Sequence, residues 1–299
     1  MRVLVTGGTG LLGWWVARSL AEAGYEVYAT YHSQGPADLG GVKWVRVDLA
    51  DVRQVEGVLG DVRPEVVVHC AAYTDVDGCE VNKRHAYTVN YVATRLLAGG
   101  VARRGGFLVY VSTDYVFDGE RGMYREDDVP NPVNFYGLSK LLGEVAVESL
   151  LEGSSAVVRV SGLYGYSPTG KRNFGVRALE DLSQGRVVYA FEDQYLSPTY
   201  VPQLAQAVTR IVERGITGTL HVAGERLSRY EFALILAEEL GADRSLVKPT
   251  SLSSAKLVAR RPRDSSLDTS RAAGEGLALR PVRECVRDFI RVYRCMTGG

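Results

Sequence analysis

The sequence predicts an α/β fold, a doubly wound parallel sheet with a smaller, loop-rich lobe toward its carboxyl end. Three observations predict it. Through the first half, short β-branched runs alternate with amphipathic helical patterns, as the strands and helices of such a sheet must. A glycine-rich turn, "TGGTGLLG", joins the first run to the first helical pattern. Beyond Gly165 the alternation weakens into long polar stretches, "SPTGKRNF", "EDQYLSPTY" and "SSAKLVARRPRDSSLD", set between isolated helices.

In order, "RVLVT" is the first strand. "LLGWWVARSLAEAG" follows as a helix with apolar residues three and four apart, closed by Gly24, and "YEVYAT" is the second strand. "VKWVRVD" is the third strand, before a helix starting near Asp51. "EVVVHC" is the fourth, followed by one long helix from about Glu80 to Arg104. "FLVYVS" is the fifth strand, residues 134–150 form a helix, and "SAVVRVSGLYG" is a sixth strand running into a loop. Farther on, "RYEFALILAEELG" and "VRECVRDFIRVYRC" read as helices, and "GTLHVAG" (218–224) is expected to return one strand to the main sheet.

Composition narrows the function classes. Lysine plus arginine (35) equals aspartate plus glutamate (35) over 299 residues, so no overall field favours nucleic acid or an anionic membrane. The amino terminus runs straight into a strand and the chain has no bilayer-length apolar stretch, so a cytoplasmic enzyme of small molecules is expected. Cys70, Cys79, Cys285 and Cys295 lack metal-ligand spacing and read as buried free thiols. On one helix Cys285 and Cys295 would stand roughly 15 Å apart, beyond disulfide reach. No acidic cluster demands a metal.

Gly7, Gly10 and Gly13 recur at three-residue intervals where a strand gives way to a helix. Glycine there lets the backbone turn tightly and lets a pyrophosphate approach the amides at the helix start. A plain tight turn is the bland alternative; the strand, turn and helix context favours a dinucleotide. This Gly-x-x-Gly-x-x-Gly spacing resembles the extended short-chain dehydrogenase/reductase superfamily, whose nucleotide domain is Rossmann-type. Residues 1–162 are therefore expected to bind the dinucleotide and 163–299 to form a substrate-binding lobe. "ATYHSQGP" after the second strand offers no acid for a ribose 2′-hydroxyl, so NADP(H) is favoured over NAD(H). His32 and Ser33 are candidates for the 2′-phosphate, with a solvent-facing turn as the other reading. The resemblance implies an adenine contact at Asp48 and Leu49, a ribose and nicotinamide path at Ala71 and Ala72, and a backbone prop at Asn90. It brings Thr9, Leu11, Leu12, Cys70, Tyr73 and Val111 into the same set.

"STDYVFDG" ends the fifth strand, and "YREDDVPNPVNFYGLSKLLGE" follows. Together they resemble the dTDP-4-dehydrorhamnose reductases and the related regulatory β subunit of methionine adenosyltransferase. On a helix from about Asn134, Tyr136 and Lys140 lie one turn apart on the same face, so the lysine can approach the phenol and favour its ionised form. The resemblance implies Thr113 as the group holding a substrate carbonyl, in preference to Ser112 beside it. Tyr136 would be the proton donor, and Lys140 would tune it and bind the nicotinamide ribose. Asp114 and Tyr115 match positions lining the sugar pocket.

"KRNF", "DQYLSPTYVPQLA" and "RRPRDSSLDTSR" extend the resemblance over nearly the whole chain and offer Asn173, Phe174 and Arg261 as substrate contacts. The guanidinium suits a nucleotide diphosphate, and Arg260 or Arg263 could take its place. One departure stands out: the reductases place a tryptophan on the sugar two residues ahead of the tyrosine in "RVSGLYG", and here that residue is Gly162. The resemblance thus implies NADPH-dependent reduction of a nucleotide-linked 4-keto-6-deoxy sugar, with dTDP-4-dehydro-L-rhamnose the simplest case, and a homodimer. Its alternatives are a noncatalytic NADP-binding subunit of methionine adenosyltransferase, or a nucleotide-sugar epimerase or dehydratase.

Overall fold

The computed structural model describes residues 1–33, 35–36 and 39–298. Seven parallel strands make the central sheet: β1 (Arg2–Thr6), β2 (Glu26–Tyr31), β3 (Val42–Arg46), β4 (Val66–His69), β5 (Phe107–Thr113), β6 (Ser155–Val160) and β7 (Gly218–His221). Their order is β7-β6-β5-β4-β1-β2-β3. The strand order reverses on either side of β1, and a crevice opens at the carboxyl ends of β1 and β4.

Alternation along β1 divides the core into two layers. Val3 and Val5 face α1 (Leu11–Glu22) and α8 (Val201–Arg214), whose Val16, Leu20, Val208 and Ile211 are fully buried. Leu4 points the other way, toward α2 (Val52–Val62), α5 (Ala93–Ala102) and α6 (Phe135–Leu150), among Val55, Leu97, Tyr110 and Val147. Asp51 caps α2 by accepting from Arg53 N–H, as the sequence suggests.

The segment expected as one helix from Glu80 to Arg104 is broken. It divides into α3 (Val76–Val81), α4 (Lys83–Tyr87), a π-turn at Thr88–Val92, and α5. Asn82 has left helical geometry (φ −118°, ψ 67°), and its side chain caps α4 by accepting from His85 N–H. The π-turn adds a residue to the helical repeat and rotates Asn90 into the interior.

A second apolar cluster lies beyond Gly162. It joins α7 (Phe174–Ser183), α9 (Arg229–Leu240) and α11 (Val282–Thr297) to the paired strands Val188–Phe191 and Val247–Thr250. The short helix α10 (Ser270–Gly274) lies against β7. Of the four cysteines, Cys79 and Cys285 are buried and Cys70 is half-buried; Cys295, near the end of α11, is exposed, contrary to the expectation of a buried thiol. No helix among the described residues is long and apolar enough to cross a membrane.

Candidate active site

A cleft of about 720 Å³ runs along the carboxyl ends of the strands. At one end the glycine loop lines it through Gly7, Thr9, Gly10, Leu11, Leu12 and Gly13. The loop's own geometry fits a dinucleotide. A Cβ on Gly13 would stand 2.1 Å from Gly7 O, and one on Gly7, which has φ +69°, would stand 2.9 Å from Ala71 Cα. Helix α1 opens at Gly10 with no acidic residue in its first turn, leaving its leading amides to an anion. His32, Ser33, Asp48, Leu49, Cys70, Ala71, Ala72 and Tyr73 continue the wall. His32 Nε2 lies 3.7 Å from Asp48 Oδ2, so the candidates for phosphate and adenine face each other. Burial pushes the Cys70 thiol up to about 12, which keeps it protonated and unreactive at neutral pH.

Val111, Thr113, Asp114 and Tyr115 line the same cleft, together with Tyr136 and Lys140 of α6. Asn134 starts that helix by accepting from Gly137 N–H at 2.9 Å, and its Nδ2 donates to Arg260 O at 2.9 Å. Strand alternation separates the two hydroxyls at the end of β5. Ser112 donates to Glu144 under α6, whereas Thr113 sits beside Tyr136. Glu144 is buried and held by Arg159 through contacts of 3.0 and 2.7 Å, so the face of α6 carrying Tyr136 and Lys140 rests on an ion pair rooted in β6.

Two electrostatic details depart from the sequence reading. Tyr136 is pushed above the ordinary phenol range by burial, only partly offset by Thr113. Lys140 does not reach for the phenol: its ammonium donates to Val111 O at 2.8 Å and sits 4.0 Å from the centre of the Tyr110 ring. A buried ammonium takes the nearest acceptor, and here the carbonyl on β5 provides it. Burial lowers Lys140 to about 7, against the opposing pull of Glu144 and Cys70.

Asn90 stands behind the cleft. It accepts from Tyr73 N–H at 2.7 Å and donates to Tyr73 O at 3.1 Å and Ser139 Oγ at 2.9 Å; Ser139 in turn donates to Tyr136 O at 2.8 Å. A second relay crosses the sheet. Ala71 N–H donates to Thr6, Thr6 to His69 Nδ1 at 2.6 Å, His69 Nε2–H to Thr94 at 3.0 Å, and Thr94 to Asn90 O at 2.7 Å. Since Thr94 spends its proton on Asn90, His69 must carry its own on Nε2.

Residues 1–295 match the family described as the RmlD substrate binding domain. The chain belongs to this family. The dTDP-4-dehydrorhamnose reductase of Mycobacterium tuberculosis (strain ATCC 25618 / H37Rv) is 37% identical over 283 residues, 92% of this chain and 88% of its own. The dTDP-4-dehydrorhamnose reductase of Bacillus anthracis str. Ames, solved in complex with NADP, is 30% identical with a TM-score of 0.85, covering 97% of this chain and 98% of its own. Methionine adenosyltransferase 2 subunit beta of Bos taurus is 34% identical over 312 residues, 97% of this chain and 87% of its own. By class this RmlD-family chain is an NAD(P)-dependent oxidoreductase with the extended short-chain architecture.

The family's substrate side is where sequence and structure differ most. Asn173 reaches the cleft, but its amide is engaged as the cap of α7 and as a donor to Gly165 O at 2.8 Å. Phe174 lies in an adjoining pocket of about 270 Å³ with Gly162 and Phe232. Arg261 is not on the cleft wall: it donates to Asp77 Oδ1 at 2.9 Å and Ala259 O at 2.8 Å, tying the carboxyl-terminal loop to α3. Two guanidiniums do reach the cleft: Arg172, which pairs with Glu180, and Arg229, stacked on Phe174 and donating through Nε to Gln194 at 2.7 Å. Neither Arg229 nor Ser139 was singled out from sequence. The only local signal for Ser139 was its place between Tyr136 and Lys140.

Proposed function

We propose that the chain reduces a nucleotide-linked 4-keto-6-deoxy sugar with NADPH, dTDP-4-dehydro-L-rhamnose being the substrate to test first. The observation that carries this reading is the meeting of Thr113 and Tyr136 at the end of β5, in one cleft with the glycine loop. A reduced nicotinamide bound along Cys70–Tyr73 would supply a hydride to the sugar ketone. Tyr136, kept protonated by its burial, holds the proton that the new alkoxide needs. Thr113 hydrogen-bonds the same oxygen, and the Lys140 ammonium at the base of the site stabilises negative charge there. Arg229 offers its terminal N–H groups to the diphosphate. NADP is preferred because Tyr31, His32 and Ser33, at the end of β2 and just after it, include no acid to meet a free ribose hydroxyl, and the Bacillus anthracis relative was solved with NADP.

Enclosure of the Asp114 carboxylate by three hydroxyls argues against a dehydratase, which would need such an acid free to face the sugar. A noncatalytic subunit that binds NADP and methionine adenosyltransferase is the second reading, favoured by Gly162 in place of a ring that would cover the sugar. The deciding experiment follows NADPH absorbance with dTDP-4-dehydro-L-rhamnose, with Tyr136→Phe in parallel. The reductase reading expects turnover that falls about a hundredfold or more in the variant, with NADP affinity unchanged. Binding of NADP without turnover by either protein would sink it.

A further inference from the structure

Asp114 is a carboxylate enclosed in the floor of the cleft, 3% exposed, with hydroxyls for neighbours rather than cations. Its Oδ1 accepts from Thr113 at 3.0 Å; its Oδ2 accepts from Ser161 at 2.7 Å and from Ser265 at 2.5 Å. Tyr136 faces it from α6 and Tyr115 from the turn that follows β5. Asp264 precedes Ser265 and is paired with Arg226, Arg229 and Arg261 act on Tyr115, and Lys140 is turned to Val111.

A threonine hydroxyl has one proton and two lone pairs. In the arrangement above, the Thr113 proton is spent on Asp114, and one lone pair takes Tyr115 N–H at 3.2 Å. What remains for the cleft is a single lone pair. Thr113 can then accept from an alcohol but cannot donate to a ketone. Placing a proton on Asp114 Oδ1 reverses this. Asp114 donates to Thr113, both Thr113 lone pairs are filled, and the Thr113 proton turns to the cleft. Oδ2 still accepts from both serines, so neither state strands a buried polar group.

We propose that Asp114 is a positioning residue whose protonation sets the direction of the Thr113 hydrogen bond, toward the ketone when Asp114 is protonated and from the alcohol when it is ionised. The inference rests on the reductase reading. It adds that the two oxidation states of the sugar are held by opposite protonation states of a residue that touches neither. Burial raises the Asp114 carboxyl above its ordinary value, which moves this exchange toward the working pH.

The test is the pH dependence of kcat/KM in both directions for the native protein and Asp114→Asn. In the native protein, reduction falls and alcohol oxidation rises through one shared pKa. In Asp114→Asn the amide Nδ2 donates to Thr113 while Oδ1 accepts from the serines, fixing the donor state. Reduction then keeps only the limb that Lys140 imposes, staying below pH 7 within about threefold of its low-pH native value, and oxidation falls about tenfold or more, the cost of one mismatched hydrogen bond. Native pH profiles in the variant, or equal losses in both directions at an unchanged melting temperature, overturn the proposal. If the native protein oxidises no NADPH with the keto sugar, the reductase reading fails, and the hydrogen bond is read by carboxyl-carbon NMR. There Thr113→Val, which removes a donor to the ionised form, raises the Asp114 pKa by about one unit; an unmoved titration overturns the proposal.

Discussion

Lys140 carries a charge that the site can lose near neutrality. Its pKa is lowered to about 7 by burial, and in the folded protein it is protonated below that value and neutral above it. Reduction leaves negative charge at Tyr136, so kcat/KM, which reports the free enzyme, is expected to fall as pH rises through about 7. Lys140→Arg, which cannot lose its proton, should abolish this limb even where it lowers the rate. An unchanged limb in that variant would show that another group titrates. That Tyr136 and Lys140 share one face of a helix was legible from their spacing, and Thr113 was suggested by the resemblance of the run that ends β5. The partners that decide how they behave were not. Ser161 and Ser265 reach Asp114 from 47 and 151 residues along the chain, and the choice of Val111 O by Lys140 depends on a carbonyl that no side-chain pattern reveals.

Between β4 and β5 the sequence shows amphipathic continuity from Glu80 to Arg104, and the structure interrupts it twice, at Asn82 and at Thr88–Val92. Helical periodicity reads past a single inserted residue because the resulting shift of about 100° is no wider than an apolar helix face. The π-turn is what carries Asn90 to Tyr73 and Ser139 together. Asn90→Ala strands the N–H and carbonyl of Tyr73 and one partner of Ser139. The expected loss is on the order of 3 kcal/mol, measured by urea unfolding, accompanied by weaker NADPH binding. Full native stability in this variant would mean that water or a neighbour replaces the amide without cost. The other nucleotide-side elements, β1 with its glycine loop and α6 with its Asn134 cap, were legible to within a residue or two, since each announces itself by local signals.

For the whole molecule, buried polar chains join layers that hydrophobic packing alone would leave free to slide. His69 binds β1 to α5, and His221 on β7 is in contact with Arg159 and donates to Tyr124 O. Burial lowers both imidazoles to about 3, the Arg159 charge adding to the effect at His221. Unfolded, each titrates near 6.5. From about pH 6.5 downward the unfolded chain therefore takes up protons that the folded chain refuses, and stability falls as the pH drops toward 3. Urea midpoints should decline between pH 7 and 5, where most carboxylates are still ionised, and His221→Gln should flatten the decline. A native midpoint constant over that interval would contradict the burial of these rings as neutral groups. The lobe beyond Gly162 was the least legible part, because its paired strands and the Arg261–Asp77 contact join segments whose separation in sequence follows no period.

Gly162 stands at the join between the two apolar clusters with φ +51°, and a Cβ there would lie 2.3 Å from Leu196 Cδ1. Placing a tryptophan at that site changes more than the side chain. It asks an L-residue to adopt left-handed backbone and asks Leu196 to give way at the same time. Engineering the reductases' aromatic cover into this chain asks Leu196 Cδ1 to turn aside and adds backbone strain on the order of 1–3 kcal/mol, which Leu196→Ala would not relieve.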